Sequence, residues 1–560
     1  MPLDPAHHHD PHDTAEATAH VTEPPRLSDL ICARLRQAAD ATLIDEGTRC
    51  TSVREFDALA GACAHWLRSQ GIVAGDRVAI WMVNRVEWLG LMFGAARIGA
   101  TIVSVNTRFR ASELEYLMQR SGARLLVLQH DFRSIDFPSV LAECDPSRFP
   151  ALERIALLDA GADWPTRLLD RPCVRVAIED TQENPRAFAT PDRSDPEAVT
   201  LLYTTSGTTR GPKLVMHTQR SLVWHARQVA NAYGMTEPGS CLLGALPLCG
   251  TFGMTGVLAA IAGGAKVVMT EAFDGQQAAR LVREHRVSHM FGSDEMYRRM
   301  LEAQPQRPPF PSARLFGYAA FQPRGEQFAI ECNELGLPLF GLYGSSEVQA
   351  LFSVQSAALP LAERVRGGGT PASPSAQVRI RDLASGDLAA PGVSGEIEIA
   401  SRGNFAGYLN DAQASADAIG ADGFFRTGDI GHLRADGSFV FETRRGDAIR
   451  LGGFLVNPAE IEDVLKTLPG VADVAVIGIE IAAQSRCVAF VVRTPDSTLD
   501  AASLTESARQ LMANFKTPAR FWFVDSLPTT ASANGTKVQR ARMREMAAER
   551  LAAEPTATTD

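Results

Sequence analysis

From about Leu27 onward the chain alternates between two hydrophobic rhythms, and this restricts the fold more than any other feature. Residues 56–70 and 88–98 carry apolar side chains at helical spacing. Residues 78–82, 101–105 and 125–128 are short apolar runs that read as buried strands. The pattern resumes after a looser stretch at about 160–195, with strands at 199–203, 266–270 and 289–291 and a helix at 276–285. A further strand at 337–343 runs into a loop. Helices alternating with buried strands predict βαβ units and an α/β fold with a mostly parallel sheet.

The C-terminal third has a different texture. Short glycine-bounded strands at 377–381, 395–400 and 438–442 predict a β subdomain. A compact α+β pattern follows from about Asp447, with helices at 458–467 and 504–514 and strands at 471–477, 487–492 and 520–524. The expected organisation is a disordered tail at 1–25, a large N-terminal domain at 26–445, a small mobile α+β domain at 446–550 and a second tail at 551–560. The N-terminal tail holds His7, His8, His9, His12 and His20, which read as part of a mobile segment rather than a metal site.

Composition narrows the partners. A length of 560 residues, 45% hydrophobic and 21% charged, describes a globular chain. A formal net charge of -10 repels a phosphate backbone, so nucleic acid is excluded as a partner. The nine cysteines are scattered without a C-x-x-C pair, as expected of reduced thiols in a cytoplasmic protein. Residues 241–265 carry no charge and are long enough to suggest a membrane span, but Pro247 and several glycines interrupt them. A buried strand, loop and small-residue helix is expected there, with no membrane span.

Five segments carry chemistry. Tyr203-Thr204-Thr205-Ser206-Gly207-Thr208-Thr209-Arg210-Gly211-Pro212-Lys213 ends a strand in small hydroxyl residues and glycines, whose backbone N–H groups and hydroxyls suit phosphate oxygens. It is not a Walker A loop. Tyr343-Gly344-Ser345-Ser346-Glu347 offers a carboxylate beside hydroxyls, a donor set for Mg2+ against phosphates or an ordinary turn. Arg426-Thr427-Gly428-Asp429 is either a turn or an Asp placed to accept both hydroxyls of a ribose. Arg444-Arg445-Gly446-Asp447, with Gly452-Gly453 and Asn457-Pro458 beyond it, sits where the texture changes and reads as a linker with a glycine hinge. Finally, Lys537 lies on the turn-bearing segment Asn534-Gly535-Thr536-Lys537, from which a lysine reaches a ligand as a mobile point charge or stands solvated on the surface.

In this order and spacing, the five segments resemble the acyl-adenylate-forming superfamily of acyl-CoA synthetases, 4-coumarate-type ligases, peptide-synthetase adenylation domains and luciferases. The resemblance runs from about Leu27 to Met546, with further echoes at 75–79, 106–108 and 515–518. It implies an acid–thiol ligase: ATP activates a carboxylic acid to an acyl-AMP, and the acyl group passes to CoA. By the same resemblance Thr205, Ser206, Gly207, Thr208, Thr209 and Lys213 belong to the phosphate loop. Tyr343 and Ser346 lie near the nucleotide, Glu347 holds Mg2+, and Asp429 with Arg444 binds the ribose. Lys537 is the catalytic lysine of adenylation, acting with Glu347 and Thr205, and Gly452 and Gly453 line the thiol route. The resemblance also implies a rotation of the small domain about a hinge at about Gly446 between the two steps.

The chain departs from the family pattern at several places. Arg210 replaces the last glycine of the phosphate loop, and Thr443 replaces the glycine before Arg444. The lysine motif carries extra residues between Thr530 and Gly535. Gly250 stands where an acyl-pocket His is usual, and Gly317-Tyr318-Ala319-Ala320-Phe321 replaces a Gly-Gly-Ala turn. Gly250, Phe252 and Tyr318 are therefore the expected acyl-pocket residues, and an aromatic or medium-length acid suits such walls; drift in loops that contact nothing is the alternative. Two other functions remain open: loading of a separate carrier protein, and nucleotide binding without turnover.

Overall fold

A computed structural model describes the chain except for residues 1–24, 131, 133–134, 160, 162–163, 179–191, 193, 205–212, 320–324, 446–448, 452–453, 457, 482–483, 513–515, 533–534 and 554–560. Both expected tails, apart from a few residues at their inner ends, and the hinge glycine thus lie outside the described residues. The final helix, Arg540–Ala553, runs past the expected boundary at 550.

The expected rhythms fold as α/β layers. Among the described residues, one sheet of eight strands has Arg77–Trp81 between Thr101–Ser104 and Leu125–Gln129, all parallel. These strands are buried almost throughout, as strands covered on both faces must be, and hence read as continuous apolar runs. The helices Val53–Ser69 and Val86–Arg97 pack face to face, with Gly90 and Gly94 opposite Leu59, Ala60 and Cys63. Ser52 caps the first of these helices and Glu55 returns the bond, so its start is written locally. The looser stretch at 160–195 does hold structure: Arg167–Leu168 and Arg171–Arg175 form a hairpin at the edge of this sheet.

The uncharged stretch folds as expected, into the strand Cys241–Gly244, a loop, and the helix Thr251–Gly263. That helix is apolar on all sides because it lies buried in the main core. No helix among the described residues is long and apolar enough to cross a membrane. None of the nine cysteines is disulfide-bonded, and seven are buried.

A second sheet contains thirteen strands among the described residues. Its parallel part runs through Cys241–Gly244, His289–Ser293, Leu315–Ala319 and Leu339–Ser345. The expected β subdomain is not a separate sheet. Gly368–Pro371 pairs with Gln349–Val354 on one side and Phe439–Arg444 on the other, which joins the glycine-bounded strands to the parallel part. The main hydrophobic core begins at Leu27 and ends at Phe439. A separate core starts at Ile449 and gathers Ile461, Leu465, Val474, Val476 and Phe521 from the small α+β domain. The large α/β domain and the smaller C-terminal α+β domain thus have their own interiors.

Candidate active site

The strands Val199–Thr204 and Leu214–Thr218 are antiparallel neighbours, with Thr204 opposite Leu214. The connection between their ends carries Thr205, Ser206, Gly207, Thr208 and Thr209, all outside the described residues. At its C-terminal end Lys213 sets its ammonium 4.3 Å from the centroid of the Tyr408 ring. Tyr408 reaches this place because residues 406–409 run along Leu214–Thr218, with Ala406 N–H on the Met216 carbonyl at 2.8 Å and Leu409 N–H on the Leu214 carbonyl at 2.9 Å. The Tyr408 hydroxyl then donates to Glu347 Oε1 at 3.0 Å. Burial and the neighbouring Glu347 raise the Tyr408 hydroxyl well above the ordinary phenol range, so it stays a donor at neutral pH. Lys213, Tyr408 and Glu347 form a chain of contacts beside the hydroxyl-rich connection.

Glu347 is positioned by its backbone. The Phe405 N–H donates to the Glu347 carbonyl at 2.8 Å. On the preceding residue, His217 Nε2 meets the Ser346 carbonyl at 2.7 Å, and His225 Nε2 meets the Ala350 carbonyl at 2.8 Å. Both imidazoles are almost fully buried, and burial pushes each down to about 4. They are therefore neutral at physiological pH, with Nε2–H as the donor that each carbonyl requires. The Gln349 side chain adds bonds to the Ser221 and Gly403 carbonyls at 3.0 and 2.9 Å. The turn that carries Glu347 is thus held from beneath by three polar side chains. Thr251 Oγ1, on the first residue of the buried helix, lies 3.4 Å from Ser346 Oγ.

Asp429 occupies the strand Phe425–Leu433, directly opposite Arg444 in the sheet register. Its carboxylate accepts from Tyr343 Oη on Oδ2 at 2.6 Å and from Arg444 Nη1 on Oδ1. Tyr343 is buried with its ring edge on Phe439 at a 5.2 Å centroid distance. The Asp429 side chain is 6% exposed, and that of Arg444 53%. Burial draws the guanidinium down, but Asp429 outweighs it and leaves Arg444 above its ordinary value. The preceding turn is fixed locally: Thr427 Oγ1 donates to the Ile397 carbonyl and accepts from Asp429 N–H, while Gly428, at φ 70°, gives its N–H to Glu396. A carboxylate has about four lone-pair sites, so two neighbours do not exhaust it for a diol.

The structure therefore brings these residues into two groups of contacts, Lys213–Tyr408–Glu347 and Tyr343–Asp429–Arg444, joined by the short segment from Tyr343 through Ser346 to Glu347. Gly452 and Gly453 lie outside the described residues. Lys537 lies in the hairpin strand Gly535–Val538, paired with Thr530 in the small domain. Gly250 caps the buried helix, and a Cβ there would meet only the Pro247 carbonyl at 3.5 Å, an ordinary contact. Phe252, two residues on, packs against Phe291 with centroids 6.3 Å apart. Tyr318 is not with them. Phe291 pairs in parallel with Gly317, so Tyr318 projects from the opposite face, where its hydroxyl donates to the Val365 carbonyl.

Sequence reasoning did not find Tyr408, His217 or His225. Each acts through a contact far along the chain, and no local pattern marks it. His289 Nε2 meets the Tyr233 carbonyl at 2.8 Å, and His285 Nδ1 lies 3.4 Å from Asp45. Among the described residues no cluster of three or more His, Cys, Asp or Glu forms a metal site. Glu347 offers carboxylate oxygen, the donor type that Mg2+ prefers, with Oε1 also accepting from Tyr408.

Comparison with known proteins places the chain in a family. The family described as AMP-binding enzyme matches residues 33–409, and the AMP-binding enzyme C-terminal domain matches residues 460–534. A Mycobacterium tuberculosis CoA ligase for a methyl-dioxo-octahydroindenyl propanoyl group is 32% identical over 94% of this chain and 99% of its own. The 3-hydroxybenzoate–CoA ligase of an Aromatoleum species is 28% identical over 91% of this chain and 94% of its own. The ATP-bound structure of MatB from Rhodopseudomonas palustris superposes with a TM-score of 0.75 at 25% identity, over 93% of this chain and 99% of that one.

Proposed function

This chain belongs to the AMP-binding enzyme family, and from its acyl-adenylate-forming chemistry we propose that it is an acid–thiol ligase that uses ATP, Mg2+ and CoA. The observation that carries the reading is the pair of anchored carboxylates: Asp429 between Tyr343 and Arg444, and Glu347 at the end of the Lys213–Tyr408 chain.

In the first step an oxygen of the substrate carboxylate attacks the α-phosphorus of ATP. The bond from that phosphorus to the bridging oxygen breaks, and pyrophosphate leaves with the electron pair. Both reactants are anionic, so the step needs fixed positive charge. Lys213 and the hydroxyls of Thr205 to Thr209 hold the phosphates, Asp429 and Arg444 the ribose, and Lys537 neutralises the charge developing at the reacting centre. Mg2+, held by Glu347, supplies further Lewis-acid charge to the phosphate oxygens when bound. In the second step the CoA thiolate attacks the acyl carbon and AMP departs, leaving the thioester. Gly452 and Gly453 line the thiol route, and Lys537 leaves the centre by rotation of the small domain about a hinge at about Gly446.

The named activities of the relatives, both CoA ligases, support CoA over a separate carrier protein as the acceptor. The test is pyrophosphate release across a panel of carboxylic acids, with and without CoA. Acid-dependent release accelerated by CoA is the expected result. Release indifferent to CoA assigns the acceptor to a carrier protein, and ATP binding without release under any acid overturns catalysis.

A further inference from the structure

At the N-terminal ends of the parallel strands Arg77–Trp81, Thr101–Ser104 and Val199–Thr204 lies a cavity of about 700 Å³. The hydroxyl-rich connection leaves the last of these strands at its other end, so the cavity is separate from the candidate active site. Its size falls within the range of about 300–1,000 Å³ common to small-molecule sites. Its floor is apolar. Leu202 is buried there, while Val199, Met216 and Leu409 pack on the core around Trp81 and Leu126 and stay only partly covered. Three arginines, Arg68, Arg77 and Arg97, stand around this floor against one carboxylate, Asp195. Asp195 Oδ1 already accepts from the Glu197 N–H at 2.9 Å. Arg97 donates to the Asp57 carbonyl at 3.3 Å and pairs with its carboxylate. Arg68 and Arg97 each lie in the last turn of a helix, a position that favours a cation. Arg77 instead begins a strand, and its Nε is buried without an acceptor, which is unfavourable. Among the described residues neither Arg68 nor Arg77 has a carboxylate or hydrogen-bond partner for its guanidinium.

We propose that this cavity is a second ligand site, for a small organic anion with an apolar body. Its carboxylate or phosphate head pairs with Arg68 and Arg77, whose planar forks suit either group. Its body covers Val199, Met216 and Leu409, which removes their remaining apolar surface from water. An uncharged ligand of the same shape would leave both guanidiniums without a partner, and a cation would be repelled by them. The site goes beyond the adenylation reading and does not depend on it.

The experiment is calorimetric titration of the full chain, without nucleotide, with octyl phosphate, octanoate, octanol and inorganic phosphate. The better of the two amphipathic anions is expected to bind at least about tenfold tighter than octanol or inorganic phosphate, and which one it is names the head group. The double variant Arg68→Gln, Arg77→Gln is expected to weaken that anion about tenfold or more while ATP affinity and melting temperature hold. Ala74→Trp fills the exposed rim of the cavity without changing its charge and is expected to weaken the same anion to a similar degree. Octanol bound as tightly as the anions, no binding of either anion, or binding unchanged in either variant overturns the site. Each of these outcomes leaves the ligase reading standing, because that reading is tested by pyrophosphate release.

Discussion

Replacing His217 by leucine tests how the turn carrying Glu347 is held. At neutral pH the imidazole donates to the Ser346 carbonyl, and leucine takes that donor away. Leaving such an acceptor unpaired costs about 1–3 kcal/mol. The same substitution removes a titrating group whose folded pKa is about 4, depressed by burial from an unfolded value near 6.5. Between those two values the unfolded chain binds a proton that the folded chain refuses. The histidine therefore favours folding fully above about pH 6.5, and this contribution is lost as the pH falls toward 4. By about pH 5 the wild type has lost on the order of 2 kcal/mol at this one site, a loss the leucine variant does not share. The variant is thus expected to be less stable than the wild type at about pH 7.5, with the deficit close to zero at about pH 5. Urea unfolding followed by tryptophan fluorescence at the two pH values measures it. A deficit that is the same at both would refute the buried neutral imidazole, and a variant as stable as the wild type at neutral pH would refute the hydrogen bond.

Other expectations follow from the same geometry. Tyr343→Phe removes a hydroxyl donor to the buried Asp429 carboxylate and should weaken ATP binding, read by calorimetry, by about ten- to a hundredfold, as the loss of a charge-assisted bond of about 1.5–3 kcal/mol implies. Unchanged affinity would detach Asp429 from the nucleotide. Gly341→Ala would place a Cβ 1.8 Å from the Arg366 carbonyl and should lower the melting temperature sharply, while Gly250→Ala, whose Cβ would make an ordinary 3.5 Å contact with the Pro247 carbonyl, should change it far less. Equal melting temperatures for the two would contradict the packing described. Lys537→Ala should abolish acid-dependent pyrophosphate release yet still convert a supplied acyl-adenylate to thioester with CoA; loss of both half-reactions would place the lysine outside the adenylation step.

Much of the site was legible because its residues sit in short segments whose chemistry is local. Glu347 follows two serines, Asp429 follows a glycine turn, and Lys213 closes a hydroxyl-rich run. Tyr343 and Arg444 were placed near the nucleotide by resemblance, but their joint hold on Asp429 is a contact across 86 and 15 residues. The expected acyl-pocket trio was separated by a matter of parity. Phe252 faces Phe291, while Tyr318 is one residue out of phase with the face that Phe291 shares. A strand's position in the sequence does not say which face meets which helix.

What the sequence by itself determined is the layered α/β class, the change to a small α+β domain, and the strand–loop–helix reading of the uncharged stretch. Each depends on periodicity and turn residues within a few positions, so each is written locally. Only the tertiary structure decided that the glycine-bounded strands extend the main sheet, that Tyr408 links Lys213 to Glu347 across 61 residues, and that His217 supports Ser346 across 129. These depend on where distant segments are brought together, and a single neutral imidazole or phenol leaves no local trace of the carbonyl or carboxylate it will meet.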